Sequence, residues 1–358
     1  MCPNLTDISP VKIGKHMIGP GYPVFIVAEL SANHRQNFDE AVRLIEAAKE
    51  AGANAVKLQT YTPDTMTIDC DDPRFRHEKG SLWEGQTLYE LYQKAYMPWD
   101  WQPKLKAIAN EIGMELFSSA YDPSSITYLQ SLNMPAYKIS SFELIDLPLI
   151  RQAANTGKPL IFSTGMATLD EIEQAVDAAR SAGATEIVLL KCTSAYPADA
   201  AEMNLRTISH LSKKFCLPCG ISDHTTGNVV PLVSVALGAC MVEKHFTLVR
   251  DRESIDGEFS LSPDDFRKMV LSIRTAEKSL GKIEYWAQAS ERQNRKFRRS
   301  LYAVKDIQAG QKITKSNVRS IRPGGGLPPK SFDELLGRKA KQAIRKGSAI
   351  TKELIDLQ

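Results

Sequence analysis

The chain has 358 residues, of which 43% are hydrophobic and 24% are charged. This composition is typical of a globular protein with a substantial core, and it excludes a disordered chain. The longest nearly apolar stretch, 229–242, is shorter than the roughly 18–20 residues that cross a bilayer, so we expect no membrane span. The N-terminus lacks the basic start and apolar core of a secretory signal, which predicts a cytoplasmic protein.

Six cysteines are scattered along the chain, too few for a disulfide scaffold, and we expect free thiols. Cys216 and Cys219 have the CxxC spacing of a redox motif or half of a zinc site. No second CxxC accompanies them, and Cys219 enters an apolar run typical of a buried strand. We therefore interpret this pair as structural.

Short apolar runs rich in β-branched residues alternate with longer amphipathic stretches in the first 250 residues. The eight runs are 24–28, 55–59, 114–117, 136–140, 159–163, 186–191, 219–222 and 241–245. Between the first two runs, Ala41, Leu44, Ile45 and Ala48 recur at helical spacing. Repeated strand–helix alternation predicts a closed (β/α)8 barrel, a TIM barrel of residues 1–282, in preference to an open doubly wound sheet.

The pattern changes after this predicted barrel. Residues 283–299 are rich in arginine and predict a linker, and residues 300–358 combine short strand-like runs with turns, which predicts a small α+β domain. Residues 291–358 carry 17 lysines and arginines against 6 aspartates and glutamates, a net charge of +11 that leaves −8 for the rest. This asymmetry predicts two units with different tasks. A basic unit attracts nucleic acid or helps to close over an anionic substrate.

The carboxyl ends of barrel strands meet at one mouth, where active sites form. Polar side chains occur at or after the predicted strand ends, and the main ones are Glu29, Lys57, Gln59, Ser119, Lys138, Ser141, Ser163, Ser222, His224, Glu243 and His245. Lysine charges and short hydroxyl donors suit phosphate and carboxylate groups, so the set predicts a cationic pocket for a small phosphorylated acid. The competing use of a barrel lysine is a Schiff base, which keeps an aldolase as an alternative.

Two histidines end the seventh and eighth predicted strands, which are neighbours in a barrel. His224 and His245 therefore predict a partial, exchangeable metal site with open positions for water and substrate. Glu29 and Glu143 are candidates for proton transfer or for recognition of sugar hydroxyls. Surface hydration or a salt bridge with a nearby lysine is the alternative for both carboxylates.

Seven strings resemble, in order, the motifs of the sialic acid synthase family. They are AELSANH (28–34), VKLQTY (56–61), AYKISSFE (136–143), FSTGM (162–166), KCTSAYP (191–197), GISDHT (220–225) and EKHFT (243–247). The later strings RRSLYAVKDIQAGQ and IRPGGGLPP resemble that family's antifreeze-like (SAF) domain. Within the family, AELSANH, QTYTPDTMT and the segment 82–101 resemble the pseudaminic acid branch, whereas Arg35-Gln36-Asn37 departs from the usual sequence after the histidine.

The resemblance implies condensation of phosphoenolpyruvate with an open-chain 2,4-diacetamido-2,4,6-trideoxy sugar, giving a nonulosonic acid and phosphate by C–O cleavage. Synthesis of N-acetylneuraminate or legionaminate on the same scaffold is the alternative. From another class, a Schiff-base aldolase and a non-catalytic basic protein that binds nucleic acid or sugar are the competing hypotheses. We expect neither nucleic acid nor a membrane as a partner.

The resemblance also implies roles for individual residues. The implied phosphoenolpyruvate ligands are Lys57, Gln59, Ser119, Lys138, Ser141, Ser163 and Ser222. Glu29 would lie near the reacting carbons, and the residues facing the amino sugar would be Glu143, Tyr196 and Asp256. The implied metal ligands are His224 and His245, with Mn²⁺ as the typical ion and Mg²⁺ or Co²⁺ as alternatives. Arg322 would reach the barrel mouth of the partner subunit in a domain-swapped homodimer.

Overall fold

The computed structural model describes residues 7–77, 83–250 and 254–356. The chain forms two compact units, Met1–Gly281 and Lys282–Gln358. The segment 283–299, predicted as a linker, lies in the second unit. No helix of the described residues combines the length and the apolar character needed to cross a membrane.

A short hairpin precedes a closed barrel of parallel strands in the first unit. The hairpin consists of β1 (Val11–Ile13) and β2 (His16–Ile18), which are antiparallel. The barrel strands are β3 (Phe25–Glu29), β4 (Ala55–Thr60), β5 (Glu115–Ala120), β6 (Tyr137–Ile139), β7 (Leu160–Ser163), β8 (Ile187–Cys192), β9 (Cys219–Asp223) and β10 (Met241–His245). Each strand pairs with the next in chain order, and β10 pairs with β3. The predicted (β/α)8 barrel is therefore confirmed.

Helices connect the barrel strands and cover them. They are α1 (Phe38–Glu50), α2 (Pro63–Met66), α3 (Leu88–Ala95), α4 (Gln102–Glu111), α5 (Pro123–Ser131), α6 (Leu147–Ala154), α7 (Leu169–Ser181), α8 (Arg206–Phe215), α9 (Val229–Ala236) and α10 (Pro263–Leu280). Asn37 caps α1 by accepting a hydrogen bond from the backbone N–H of Glu40. The face of α1 that is buried is the one predicted from spacing, Ala41, Leu44, Ile45 and Ala48.

Apolar side chains fill the amino-terminal half of the barrel. Val11, Ile13 and Ile18 of the hairpin pack against residues such as Phe25 and Phe117 in one interior cluster, so the hairpin closes this end of the barrel. A larger cluster lies between the strands and the surrounding helices. Polar side chains can therefore enter the interior only towards the carboxyl ends of the strands.

The second unit is a small α+β domain with its own core. Its regular elements are α11 (Ala289–Arg292), β11 (Ser300–Ala303), β12 (Val318–Ile321) and α12 (Phe332–Leu335), and the two strands form an antiparallel pair. Ile307 and Ile344, from the related turns DIQAG and IRKGS, form an antiparallel bridge with two backbone hydrogen bonds of 2.8 Å. Both isoleucines belong to the core cluster of this unit.

One cysteine is not the free thiol that the sequence predicts. Cys70, Cys192, Cys219 and Cys240 are free. Cys216 is disulfide-bonded, so the prediction is wrong there. Cys216 is half-buried at the carboxyl end of α8, whereas Cys219 is fully buried at the start of β9, as expected for a structural cysteine.

Candidate active site

A cavity of about 420 Å³ opens at the carboxyl ends of the barrel strands, a size typical of small-molecule sites. Most of the residues predicted from the strand ends line it. They are Glu29, Lys57, Gln59, Lys138, Ser141, Ser163, Tyr196, Ser222, His224, His245 and Asp256. These residues lie at or after the ends of seven of the eight barrel strands, all except β5. Side chains that are far apart in the sequence thus meet around one space.

Strand register explains why these side chains point inward together. Glu29 pairs with Lys57 on one side and with His245 on the other. Gln59 pairs with Ser119 in the same way. Paired residues of neighbouring parallel strands present their side chains to the same face of the sheet. When one residue points into the barrel, the residues paired with it therefore point inward as well.

Two lysines and two glutamates alternate on the floor of the cavity. Lys57 Nζ lies 2.6 Å from Glu29 Oε2 and 3.7 Å from Glu243 Oε1, and Lys138 Nζ lies 3.7 Å from the same Glu243 oxygen. Ser222 donates a hydrogen bond of 2.9 Å to that oxygen. Buried carboxylates therefore accompany the buried ammonium groups of the predicted pocket and offset part of their charge.

The environments of the two glutamates separate their pKa values. Burial, with Glu243 as a further negative neighbour, raises the pKa of Glu29 despite the adjacent Lys57. Burial also acts to raise the pKa of Glu243, but Lys138 and Lys57 outweigh it and hold that pKa below its usual value. Glu243 therefore serves as the fixed counter-charge of the lysines, and Glu29 is the carboxyl group better suited to exchange a proton.

Serine hydroxyls orient the two lysines. Lys57 Nζ donates to Ser119 Oγ at 3.0 Å, and Lys138 Nζ donates to Ser163 Oγ at 2.7 Å. Ser163 lines the cavity, whereas Ser119 is not among the lining residues and lies buried against Lys57. Gly165 lets Ser141 approach, since a Cβ added at Gly165 would lie 2.8 Å from Ser141 Oγ.

The two predicted metal ligands face each other across adjacent strands. The ring centroids of His224 and His245 are 5.3 Å apart. His224 Nδ1 lies 3.0 Å from the carbonyl oxygen of Thr193, a contact that leaves Nε2 as the free lone-pair atom. His245 Nδ1 is buried and has no hydrogen-bond partner among the described residues. Imidazole nitrogens ligate divalent ions at about 2.0–2.1 Å, and this spacing fits two of them on one ion.

The described residues include no group of three or more His, Cys, Asp and Glu side chains arranged to hold a metal. A metal at His224 and His245 would therefore have two protein ligands from the described residues, with its remaining positions open. Such a donor set suits an exchangeable ion that also binds water or substrate.

A second polar group lies beside Glu29. Gln59 Nε2 donates to Glu29 Oε1 at 2.9 Å and to Ser31 Oγ at 3.1 Å. Ser31 donates in turn to the carboxylate of Asp256. The ring of Tyr196 lies 4.4 Å, centroid to centroid, from that of His224. Gln59, Ser31 and Asp256 thus form one hydrogen-bonded group beside Glu29, and Tyr196 packs on one of the two histidines.

Besides Ser119, two predicted site residues are not among those lining the cavity. Glu143 is absent from the lining residues, and its buried Oε2 has no hydrogen-bond partner in the part of the chain that the structure describes. Burial raises the pKa of Glu143 to about 7. Arg322 is an exposed residue of the second unit, directly after β12. Its predicted role in a partner's barrel stays a prediction.

Several lining residues were not assigned to the site from the sequence. They are Ser31, Tyr61, Tyr121, Cys192 and Ser194. Spacing of two was the available signal for most of them, because Ser31 follows Glu29 by two, Tyr61 follows Gln59 by two, and Tyr121 follows Ser119 by two. Alternate residues of a strand point to the same face, and continuing this period past the strand ends predicts inward positions for these three residues.

The comparisons with known proteins agree with this geometry. Residues 44–285 match the NeuB family, and residues 298–356 match the SAF domain. The pseudaminic acid synthase of Campylobacter jejuni is 44% identical over 91% of this chain and 95% of its own length. The pseudaminic acid synthase of Helicobacter pylori is 41% identical over 93% of this chain and 98% of its own length.

A solved structure is also similar. The N-acetylneuraminic acid (sialic acid) synthetase of Leptospira borgpetersenii, in complex with citrate, superposes with a TM-score of 0.72 at 30% identity, covering 80% of this chain and 95% of that chain. The resemblance found from the strand-end motifs is thereby confirmed. With the family match covering most of the barrel and relatives aligned along nearly the whole chain, this protein belongs to the NeuB family.

Proposed function

We propose that this chain is a pseudaminic acid synthase, which condenses phosphoenolpyruvate with 2,4-diacetamido-2,4,6-trideoxy-β-L-altropyranose in its open-chain form. The products are pseudaminic acid and phosphate. The observation that carries the proposal is the identity of 41–44% to curated pseudaminic acid synthases over more than nine-tenths of the chain. The buried lysines, hydroxyls and paired imidazoles of one cavity support it chemically.

In this proposal the cavity floor holds phosphoenolpyruvate. Lys57 and Lys138 bind its phosphate and carboxylate groups, and the hydroxyls of Ser141, Ser163 and Ser222 supply further short donors. Burial lowers the pKa of Lys138, and Glu243 opposes this shift. For Lys57, Glu243 and Glu29 outweigh burial and raise the pKa. Because these groups are already oriented before the substrate arrives, most of the rate enhancement comes from positioning and charge stabilisation.

The bond changes follow from this arrangement. The methylene carbon of phosphoenolpyruvate forms a C–C bond to the aldehyde carbon of the sugar, whose oxygen takes up a proton. Water adds to the central carbon, and phosphate leaves with the bridging oxygen. In this proposal Glu29 handles the proton, and Tyr196 and Asp256 contact the sugar. The support is that all three line the cavity.

A divalent ion completes the proposal, with Mn²⁺ first and Mg²⁺ or Co²⁺ as alternatives. His224 and His245 would hold it. When bound, such an ion supplies Lewis-acid polarisation of the aldehyde oxygen. From the resemblance we also propose a domain-swapped homodimer in which Arg322 contributes to the sugar site, and a cytoplasmic location.

We expect the purified protein to consume phosphoenolpyruvate with the altro-configured diacetamido sugar and to prefer this sugar to N-acetylmannosamine. Mass spectrometry of the products tests this directly. With oxygen-18 in the bridging position of phosphoenolpyruvate, the label should leave in phosphate. A preference for N-acetylmannosamine would contradict the substrate assignment, and label retained in the sugar acid would contradict C–O cleavage.

Metal removal should lower the activity at least about tenfold, because two buried imidazoles lose the ion that they hold. Dialysis against a chelator followed by addition of Mn²⁺ should restore the rate, and electron paramagnetic resonance should detect Mn²⁺ bound to the wild type but not to His245→Ala. Full activity after chelation, together with borohydride trapping of a substrate adduct on a lysine, would favour the Schiff-base aldolase instead.

A further inference from the structure

One face of α3 is apolar and lies against the cavity instead of the protein core. Leu88, Leu91, Tyr92 and Ala95 recur at helical spacing, and all four line the cavity. Leu91 and Ala95 are buried, yet neither belongs to a hydrophobic core cluster of the described residues. An apolar face of this kind normally packs on a core, so its place at the cavity requires another explanation.

The cavity consequently has two chemically different sides. The floor carries the lysines, glutamates and serines of the strand ends. The apolar part of the lining includes the α3 face, Met66 of α2 and Tyr61, whose ring lies 5.7 Å from that of Tyr92. Phosphoenolpyruvate is matched by the charged floor, because it is small and trianionic. The apolar wall therefore faces the second substrate.

We propose that the apolar face of α3 is a specificity wall, which selects a sugar that carries methyl groups, on acetamido substituents and at C6, over a sugar with hydroxyls at those positions. The inference rests on the proposed function and deepens it. Methyl groups placed against Leu88 and Leu91 lose contact with water favourably, whereas a hydroxyl there finds no hydrogen-bond partner among leucine side chains. Discrimination of about tenfold to a hundredfold is typical of such a pocket.

A residue outside the helix holds the wall in place. Gln36 Nε2 donates to the carbonyl oxygens of Gln93 at 3.1 Å and Tyr96 at 2.8 Å, at the carboxyl end of α3. At the other end, Thr87 and Glu90 form a capping box. Gln36 belongs to the Arg35-Gln36-Asn37 segment that departs from the usual family sequence, so this departure coincides with a contact to the wall. We assign Gln36 as a positioning residue.

The test compares Leu91→Asn with the matched control Leu271→Asn, which changes an exposed leucine of α10 outside the cavity. The kcat/KM is measured for the diacetamido trideoxy sugar, for its 6-hydroxy analogue and for N-acetylmannosamine, with the KM for phosphoenolpyruvate and the melting temperature. Leu91→Asn should lower the preference for the deoxy sugar by about tenfold. The KM for phosphoenolpyruvate should change less than twofold, and Leu271→Asn should change neither.

Two further variants keep the test decisive. Leu88 is only half-buried, so Leu88→Asn should fold if Leu91→Asn does not, with the same loss of preference. Gln36→Glu is nearly isosteric but cannot donate to the two carbonyls, and it should raise the KM for the sugar while leaving the KM for phosphoenolpyruvate unchanged.

The outcomes separate this inference from the proposed function. Suppose that the wild type turns over the diacetamido sugar and that the variants prefer this sugar to both analogues as strongly as the wild type does. This result overturns the specificity wall and leaves the synthase assignment standing. A wild type that turns over none of the sugars with phosphoenolpyruvate overturns both.

Discussion

Replacing Lys138 by methionine is expected to lower kcat/KM for phosphoenolpyruvate by about 100-fold to 1,000-fold, the loss typical when one preorganised charge-stabilising donor is removed. Lys138 Nζ is buried at the cavity floor, donates to Ser163 at 2.7 Å and lies 3.7 Å from Glu243. Methionine fills a similar volume without the charge. Lys57 and Ser222 still accompany Glu243, so the variant should fold.

Steady-state kinetics and calorimetric titration with phosphoenolpyruvate provide the measurement. The matched control is Lys244→Met, because Lys244 is also a buried lysine of a barrel strand but is not among the residues lining the cavity. If Lys138→Met binds phosphoenolpyruvate as tightly as the wild type does, the assignment of the cavity floor as the anion site is wrong.

The same control variant carries the second prediction, which concerns stability. Lys244→Met should lower the free energy of unfolding by about 3–5 kcal/mol, because it leaves a buried carboxylate unpaired. Lys244 Nζ lies 2.6 Å from Asp223 Oδ2 and also donates to the carbonyl oxygen of Thr225, and both members of the ion pair are fully buried. Lys244 alternates with the inward-facing Glu243 and His245, so the pair lies on the outer side of the barrel wall.

Urea unfolding followed by circular dichroism measures this loss. The double variant Asp223→Ala/Lys244→Met removes both charges and should recover a substantial part of the stability lost in Lys244→Met. The folded fraction of Lys244→Met should keep the wild-type KM for phosphoenolpyruvate. The opposite result is that Asp223→Ala lowers the free energy of unfolding further when it is added to Lys244→Met. That result would show that the two residues do not act as a pair.

Local pattern was enough to predict the barrel and most of the strand-end residues. The runs that form β3 to β10 are short and apolar, and the segments between them have apolar residues at helical spacing. These properties depend only on neighbours along the chain. The face of α1 was predicted correctly for the same reason. Lys57, Lys138, His224 and His245 could be assigned to one cavity because closure of a parallel barrel brings all carboxyl ends of its strands together.

Two features required the folded chain. Glu243 balances Lys57 and Lys138, which lie far from it in the sequence, and such an ion pair depends on atomic distances that strand closure creates. Helical spacing in α3 shows that Leu91 and Ala95 share a face, but it contains no information on what that face meets. Local periodicity reports which side chains leave water, whereas the identity of their surroundings, core or cavity, is set by contacts between distant segments.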